Sequence, residues 1–592
     1  MAAALPSRII RPFSSLFQNE SWFAFIFLGL LSWFSHFFHI QKFGFYEDDY
    51  AVISTAMDQP WSYLIQQLEV FWLWPSGKPI GYYLYSLFAF LGDKLGGLQG
   101  IYILGFLSVF LNCFLFYKIL RILDSRIFAF TGAIAFCLFP ADTTKTLLCH
   151  AFMLQNSLTF LLIATLCYLK GRKTISYAVI ACSLLCYEST FPVFFGIPLL
   201  NQSWDRKLGL RLIRHGSILA GLVLGSFLIR LLSREPRVSH AAGTLTDIFT
   251  KIIKAIFIGP SVSSSLFFTA PFKAISQWTG DALLFFLIFS GVFLGLFQLL
   301  KLPRSNQPTL PHDTLSFLLP NSLRTWRNLL RPQQLWPGIQ VLIHSDFRLF
   351  ISGLILFGLG YVFSFTHYPP IAELGRMTSV HLAATFGGSF CFAYLISRLL
   401  TIFNTARLGN YALVLLAFYL GTVVAYRVVI QHDYILSWNY QKQLWTAVVE
   451  NSPDIEDNTI IFISNEHLPQ TQFIKTNSWA DELVFEQIYQ FPKDWKRQPK
   501  AYIVLKKWPN ATRSDGEGGF ISFTLTWPGY ARVQSDSHLI FLKPVNQQLT
   551  RIEGPLRLRG GELFSLKPRT TSTVDRLAKG ALFKYLIEPT KS

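Results

Sequence analysis

The sequence predicts an all-α polytopic membrane protein of about eleven transmembrane helices, followed by a small α/β C-terminal domain. Two observations predict it. Hydrophobic residues make up 51% of the 592 residues and charged residues only 15%, against about 25% charged in soluble domains, and mean hydropathy is +0.37. Segments such as 22–40, 100–120, 217–232 and 282–300 carry almost no charge over the roughly 20 residues a bilayer crossing needs. The first segment is too long for a secretory leader and lacks a small-residue cleavage site.

Spans are expected over 22–40, 99–118, 127–140, 151–169, 174–187, 190–201, 214–232, 281–301, 347–366, 379–400 and 409–430. Basic connectors follow alternate spans: Lys118/Arg121/Arg126, Lys170/Arg172/Lys173, Arg206/Lys207/Arg211/Arg214, Arg304/Arg324/Arg327/Arg331 and Arg398/Arg407. With Arg8 and Arg11 they fall on one side, which the positive-inside rule makes the cytoplasm. The stretch 79–91 is apolar but only about 13 residues long. Counting it as a span would put every later basic connector outside, so an interfacial or re-entrant helix is expected there. Stretch 245–258 is likewise expected to lie on the headgroups. The chain then divides into a transmembrane domain at 1–430, with a first extracytoplasmic loop at 41–98, and an extracytoplasmic domain at 431–592. Strands are expected there over 459–464, 501–505, 520–525 and 538–542, and a helix over 478–489.

The net charge of +18 sits in the membrane part. The first 430 residues hold 32 Lys/Arg against 17 Asp/Glu, and the last 162 hold 20 against 17. A soluble nucleic-acid-binding surface is therefore not supported, and membrane lipids are the expected partner of the basic excess. All seven cysteines lie in or beside apolar segments, with neither disulfide nor metal spacing.

Chemistry is expected at Tyr46-Glu47-Asp48-Asp49-Tyr50, where three consecutive acids follow the first span. Like charges so close are costly unless solvated or used. The plain alternative is a polar helix end. The same loop carries Trp61, Trp72, Trp74, Ser76-Gly77-Lys78-Pro79 and the tyrosines around Tyr82, a mixture suited to binding a sugar. Further polar groups on the same side are Phe139-Pro140-Ala141-Asp142-Thr143-Thr144-Lys145 with His150 and Gln155 beyond, Glu188, and Arg376 in Ala372-Glu373-Leu374-Gly375-Arg376. Arginine suits bidentate binding of phosphate; an interfacial anchor or a partner for Glu373 is its alternative. Lys78 and Lys145 are candidate phosphate ligands, Asp142, Glu188, Trp72 and Tyr82 candidate lining residues, and His381 a weaker candidate.

The acids after the first helix, the long first loop and Lys78-Pro79-Ile80-Gly81-Tyr82 opening a juxtamembrane helix resemble the GT-C fold glycosyltransferases. That group uses polyprenyl-phosphate-linked sugars and includes protein O-mannosyltransferases and lipid A aminoarabinose transferases. The resemblance covers the order of elements over about residues 20–400. It implies transfer of a sugar from a polyprenyl-phosphate donor to a glycan, lipid or protein acceptor. Asp48, Asp49 or Glu47 would act as base, and Arg376, with Lys78 or Lys145, would hold the phosphate. Mg2+ or Mn2+ on the acids is left open, and a bacterial inner membrane is the expected residence. An O-antigen polymerase or ligase, a glycan flippase, and a non-catalytic sensor are the rival readings. A flippase would place ionisable residues deep in several spans of a two-fold repeat, which the sequence lacks.

Overall fold

The computed structural model of the protein describes residues 19–73, 77–201, 204, 207–233, 245–301, 347–366, 370, 375–405, 408–464, 481–504, 508, 510–524, 529–546, 548–570 and 572–588. Trp74, Ser76, Glu373, Arg8, Arg11, Arg206, Arg304, Arg324, Arg327, Arg331 and Arg407 lie outside them.

Among the described residues, eight helices are long and apolar enough to cross a bilayer: Glu20–Lys42, Pro79–Leu123, Leu148–Leu169, Leu208–Leu232, Thr246–Gln277, Gly280–Leu300, Thr385–Phe403 and Gly409–Glu450. This is compatible with a multi-pass membrane protein. Four of the expected spans fall on helices too short to be counted among these eight. Helices Arg126–Leu138 and Lys173–Cys186 have 13 and 14 residues, about 20 Å at 1.5 Å per residue. The third, expected over 190–201, is a 3-10 stretch Glu188–Gly196 and a single turn Pro198–Asn201. Pro192 and Pro198 remove the donors an α-helix needs there. The fourth divides into Phe347–Leu359 and a 3-10 turn Val362–Thr366.

We label the helices that position the polar groups α1 (Glu20–Ser32), α2 (Asp49–Val52), α3 (Ser62–Leu73), α4 (Pro79–Leu123), α5 (Arg126–Leu138), α6 (Leu148–Phe152), α7 (Leu154–Leu169), α8 (Lys173–Cys186), α9 (Leu208–Leu232), α10 (Leu245–Lys273), α11 (Gly280–Lys301), α12 (Phe347–Leu359), α13 (Thr385–Thr405) and α14 (Gly409–Glu450). Helix α4 is two helices joined at Gly96–Gly97, where φ is 177° and +60°. A glycine is required at the positive φ, and the legs press together beyond it. A Cβ on Gly92 would lie 2.5 Å from Ile101 Cα. The stretch 79–91 is thus a separate leg from the second half of α4.

Helix α10 is longer than the interfacial stretch expected over 245–258. Its flanks nonetheless meet the same end of the bundle. Arg230, at the end of α9, pairs with Glu188, and Asp281, at the start of α11, stands beside His39 at the end of the first span.

Helix α14 has 42 residues and does not stop at 430. The boundary drawn there falls inside it, and the last 20 residues form a stalk carrying the C-terminal domain. That domain contains a four-stranded sheet ordered β2-β1-β3-β4, of β1 (Thr459–Ser464), β2 (Lys500–Val504), β3 (His538–Val545) and β4 (Gln548–Arg551). Strand β1 runs parallel to β2 and β3, while β4 returns antiparallel on β3. A continuously buried β1 (TIIFIS) fits a central strand covered on both faces. Helix α15 (Asp481–Ile488) packs beside β2, and a three-stranded antiparallel sheet lies alongside.

Small residues let α12 and α13 touch backbone to backbone. A Cβ on Gly387 would sit 2.1 Å from Phe357 N, and one on Gly360 2.6 Å from Ala384 Cα, the close approach that membrane helices exploit. Gly387→Ala is therefore expected to cost about 1–3 kcal/mol by overpacking. The check is a lowered thermal midpoint in detergent, and an unchanged midpoint would show that the crossing relaxes freely.

Candidate functional site

The acid-bearing loop is held by α14. Gly44 leaves room for the Trp438 indole, since a Cβ there would lie 1.8 Å from the ring. Tyr46 Oη donates to Tyr434 O (2.9 Å), Gln441 Nε2 donates to Phe45 O (3.2 Å), and Tyr50 Oη donates to Gln441 Oε1 (2.5 Å). From the second leg of α4, Tyr102 Oη donates to Gly44 O (2.6 Å). A loop at a membrane face cannot leave these groups unpaired without cost.

The three consecutive acids then take three different environments. Glu47 adopts a positive φ of +49°, which costs a non-glycine residue roughly 1–2 kcal/mol. This turns its carboxylate toward Arg376, whose Nη1 donates to Glu47 Oε2 at 3.0 Å. Asp48 receives the guanidinium by both oxygens: Arg376 Nη1 donates to Oδ1 at 2.7 Å and Nη2 to Oδ2 at 2.6 Å. Asp49 is fully buried. Its Oδ2 accepts from Tyr46 N (3.0 Å) and its Oδ1 from Cys149 N (2.8 Å), so it staples the loop to α6. Burial pushes the Asp49 carboxyl up to about 7, against the pull of those two N–H donors.

Asp48, Lys78, Tyr82 and Arg376, four of the expected residues, line one cavity of about 560 Å³, within the size range of small-molecule pockets. Thr55, Tyr63, Gln67, Tyr85, His150 and Tyr187 complete its polar wall, and Leu483 of α15 closes on it from the C-terminal domain. Lys78 precedes Pro79 at the first position of α4, where a proline fits. Its Nζ lies 3.9 Å from the centre of the Tyr187 ring and 3.1 Å from Glu188 Oε2. Arg230 Nη2 reaches the same Glu188 oxygen at 2.9 Å. Glu188 is thus a counter-ion behind the cavity wall.

The remaining expected residues stand elsewhere. Trp72 is 56% exposed, in a stripe with Trp61, Ile65 and Leu68 on the outside of α3. Helical phase gives its place in the cavity to Phe71, whose ring stacks on Tyr82. Asp142 is fully buried, its Oδ1 accepting from Thr144 N (2.9 Å) and Oγ1 (2.7 Å). Lys145 Nζ donates to Phe136 O (2.7 Å) and Cys137 O (2.6 Å). Arg427 takes the next carbonyls of α5, Leu138 O and Phe139 O, and also Asp142 O. Two buried cations therefore satisfy the carbonyls that end α5, and Lys145 is a helix cap instead of a cavity ligand. His381 Nδ1 shares a 2.7 Å hydrogen bond with Tyr361 Oη.

The raised Asp49 carboxyl has a pH consequence. Between the ordinary carboxylate range and pH 7 the folded chain keeps a proton that the unfolded chain has lost. Stability contributed at this position therefore falls as pH rises toward about 7 and levels off above it. Asp49→Asn should remove that slope in a thermal-midpoint series from pH 5 to 8. It should also cost about 1–3 kcal/mol, because an amide cannot accept both N–H groups. A slope that persists in Asp49→Asn would assign it to another group. No protein-family model matches the chain, and no curated protein matches it.

Proposed function

We propose that the chain is a GT-C-like integral membrane glycosyltransferase, with about eleven membrane-embedded helices, that moves a sugar from a polyprenyl-phosphate donor to an acceptor hydroxyl. The observation that carries this reading is the Arg376–Asp48 pair at the wall of a cavity also lined by Lys78, His150 and four tyrosines. A carboxylate, two cations and aromatic rings in one cavity suit a base, a leaving phosphate and a sugar ring. The outward apolar stripe of α3 beside the cavity suits access from lipid.

In this reading the donor phosphate competes with Asp48 for the fork of Arg376. Arginine moves to the phosphate, and the released Asp48 oxygen takes the proton of the acceptor hydroxyl. The acceptor oxygen bonds to the anomeric carbon. The bond from that carbon to the phosphate oxygen breaks, and polyprenyl phosphate leaves with the electron pair, its charge met by Arg376 and Lys78. A base is thereby freed only when donor is present. Asp49, with both oxygens committed to backbone N–H groups, supports the loop. The acids, Lys78, Glu188 and Arg376 gather at one end of the bundle. The basic connectors of the sequence favour the opposite side as cytoplasmic, so the reaction is assigned to the outer face of a bacterial inner membrane.

The test incubates purified protein with a panel of radiolabelled polyprenyl-phosphate sugars and an envelope extract as acceptor, and follows release of the lipid phosphate. Asp48→Asn should slow release by roughly 10²–10⁴-fold. Arg376→Lys should also impair it, because a lysine keeps the charge without the fork. No release from any donor, or full activity in Asp48→Asn, would remove the proposal.

A further inference from the structure

Three residues far apart in sequence meet where the first span, α11 and α14 come together. His39 Nε2 lies 3.7 Å and His432 Nε2 3.6 Å from the same oxygen, Asp281 Oδ2. All three atoms lie within 4.8 Å of one another. The two imidazole rings are 5.1 Å apart, centre to centre. Both contacts are too long for hydrogen bonds, and among the described residues neither buried Nε2 atom has a hydrogen-bond partner. His39 is 8% exposed, so an unpartnered ring nitrogen there carries a desolvation cost that a ligand would remove.

From these distances we propose that His39, Asp281 and His432 form a binding site for a divalent transition metal of the Zn2+ class. Metal–ligand bonds of about 2.0–2.1 Å separate tetrahedral ligand atoms by roughly 3.4 Å. The two observed histidine–aspartate separations are already within a few tenths of that. The histidine pair closes by small side-chain rotations. Two nitrogen donors with one carboxylate suit Zn2+, Co2+ or Ni2+, while Mg2+ and Ca2+ need more oxygen ligands. Asp281 is half exposed, leaving the fourth position open to water.

The chain is built to aim these side chains. A π-helical turn, Trp33–Phe37, ends just before His39, and such turns recur at functional sites. Gln431, one residue before His432, accepts from His39 N (3.2 Å) through Oε1 and donates to Phe34 O (3.0 Å) through Nε2. The metal would clamp three helices directly beneath the loop that carries Glu47–Asp49. This is distinct from a cation on the acids, which are occupied by Arg376 and by backbone N–H groups, and it does not depend on the proposed transfer reaction.

The test strips tag-free, full-length protein with chelator in detergent, titrates it with ZnCl2 or MgCl2, and counts retained metal after desalting. One Zn2+ per chain and no retained Mg2+ are expected, with a higher thermal midpoint in Zn2+. Co2+ should give the visible absorption of a low-symmetry nitrogen and oxygen site. His432→Gln and Asp281→Asn, at partly exposed positions that spare the fold, should each weaken Zn2+ binding by about 100-fold or more and abolish the Co2+ spectrum. The buried variant His39→Gln should match them. Failure of the wild type to retain Zn2+, or equal retention by His432→Gln and Asp281→Asn, would overturn the site and leave only a polar contact.

Discussion

A charge at the edge of a bilayer has little water to turn to, so it must find an opposite charge or a set of strong hydrogen bonds. The polar interior of this chain is arranged by that requirement. At one end Glu20 gathers Arg121 and Arg126, both at 2.7 Å, and the Tyr117 hydroxyl at 2.8 Å. At the other, Glu188 gathers Lys78 and Arg230, and Arg376 is shared between Glu47 and Asp48. Lys145 and Arg427 are satisfied by helix-end carbonyls instead. Each of these ion pairs joins elements remote in sequence, so satisfying the charges also fixes which helices are neighbours.

That rule explains which parts of the candidate site could be read from the sequence. Glu47–Asp49 and Lys78-Pro79 were legible because charge and proline are conspicuous where a hydrophobic run ends. Arg376 was legible as a cation next to a helix start, but not as the partner of Asp48, since some 330 residues separate them and pairing is a tertiary fact. Trp72 was misplaced by one position. Composition names an aromatic segment, whereas the helical phase of α3 decides that Phe71 turns inward. Arg427 passed unremarked near the end of an apolar run, because what it caps, the end of α5, becomes its neighbour only on folding.

The fold shows the same division. Hydropathy located nearly every helix, yet it overstated the length of those that prolines or abrupt turns cut short. It also lost α14 where the apolar run ends. Residues 431–450 continue the helix with Gln431, Tyr434, Trp438 and Gln441 on the face toward the first loop. These residues carry no hydrophobic signal of a span, but Gln431 and Gln441 bond the backbone of His39 and Phe45, the Tyr434 carbonyl accepts from Tyr46 Oη, and Trp438 packs over Gly44. The stalk and the loop are therefore one unit, and the C-terminal domain is attached to the same helix that shapes the acid-bearing turn.

The three neighbouring acids illustrate how position alone separates function from support. Asp49, buried and held by one backbone donor on each oxygen, is not among the residues that line the cavity. Glu47 pays for a left-handed backbone, and its carboxylate shares Arg376 from the side. Asp48 is the one whose side chain lines the cavity, so in the proposed reaction it is the only one of the three placed to meet an acceptor hydroxyl. Its availability depends on Arg376, held by two short charge-assisted bonds that the donor's phosphodiester matches in geometry and in charge, and that the released polyprenyl phosphate exceeds in charge. A donor that brings such a phosphate changes the partner of Arg376 and the basicity of Asp48 in one step. The ion pair that makes charge tolerable in the cavity wall would then also gate its chemistry.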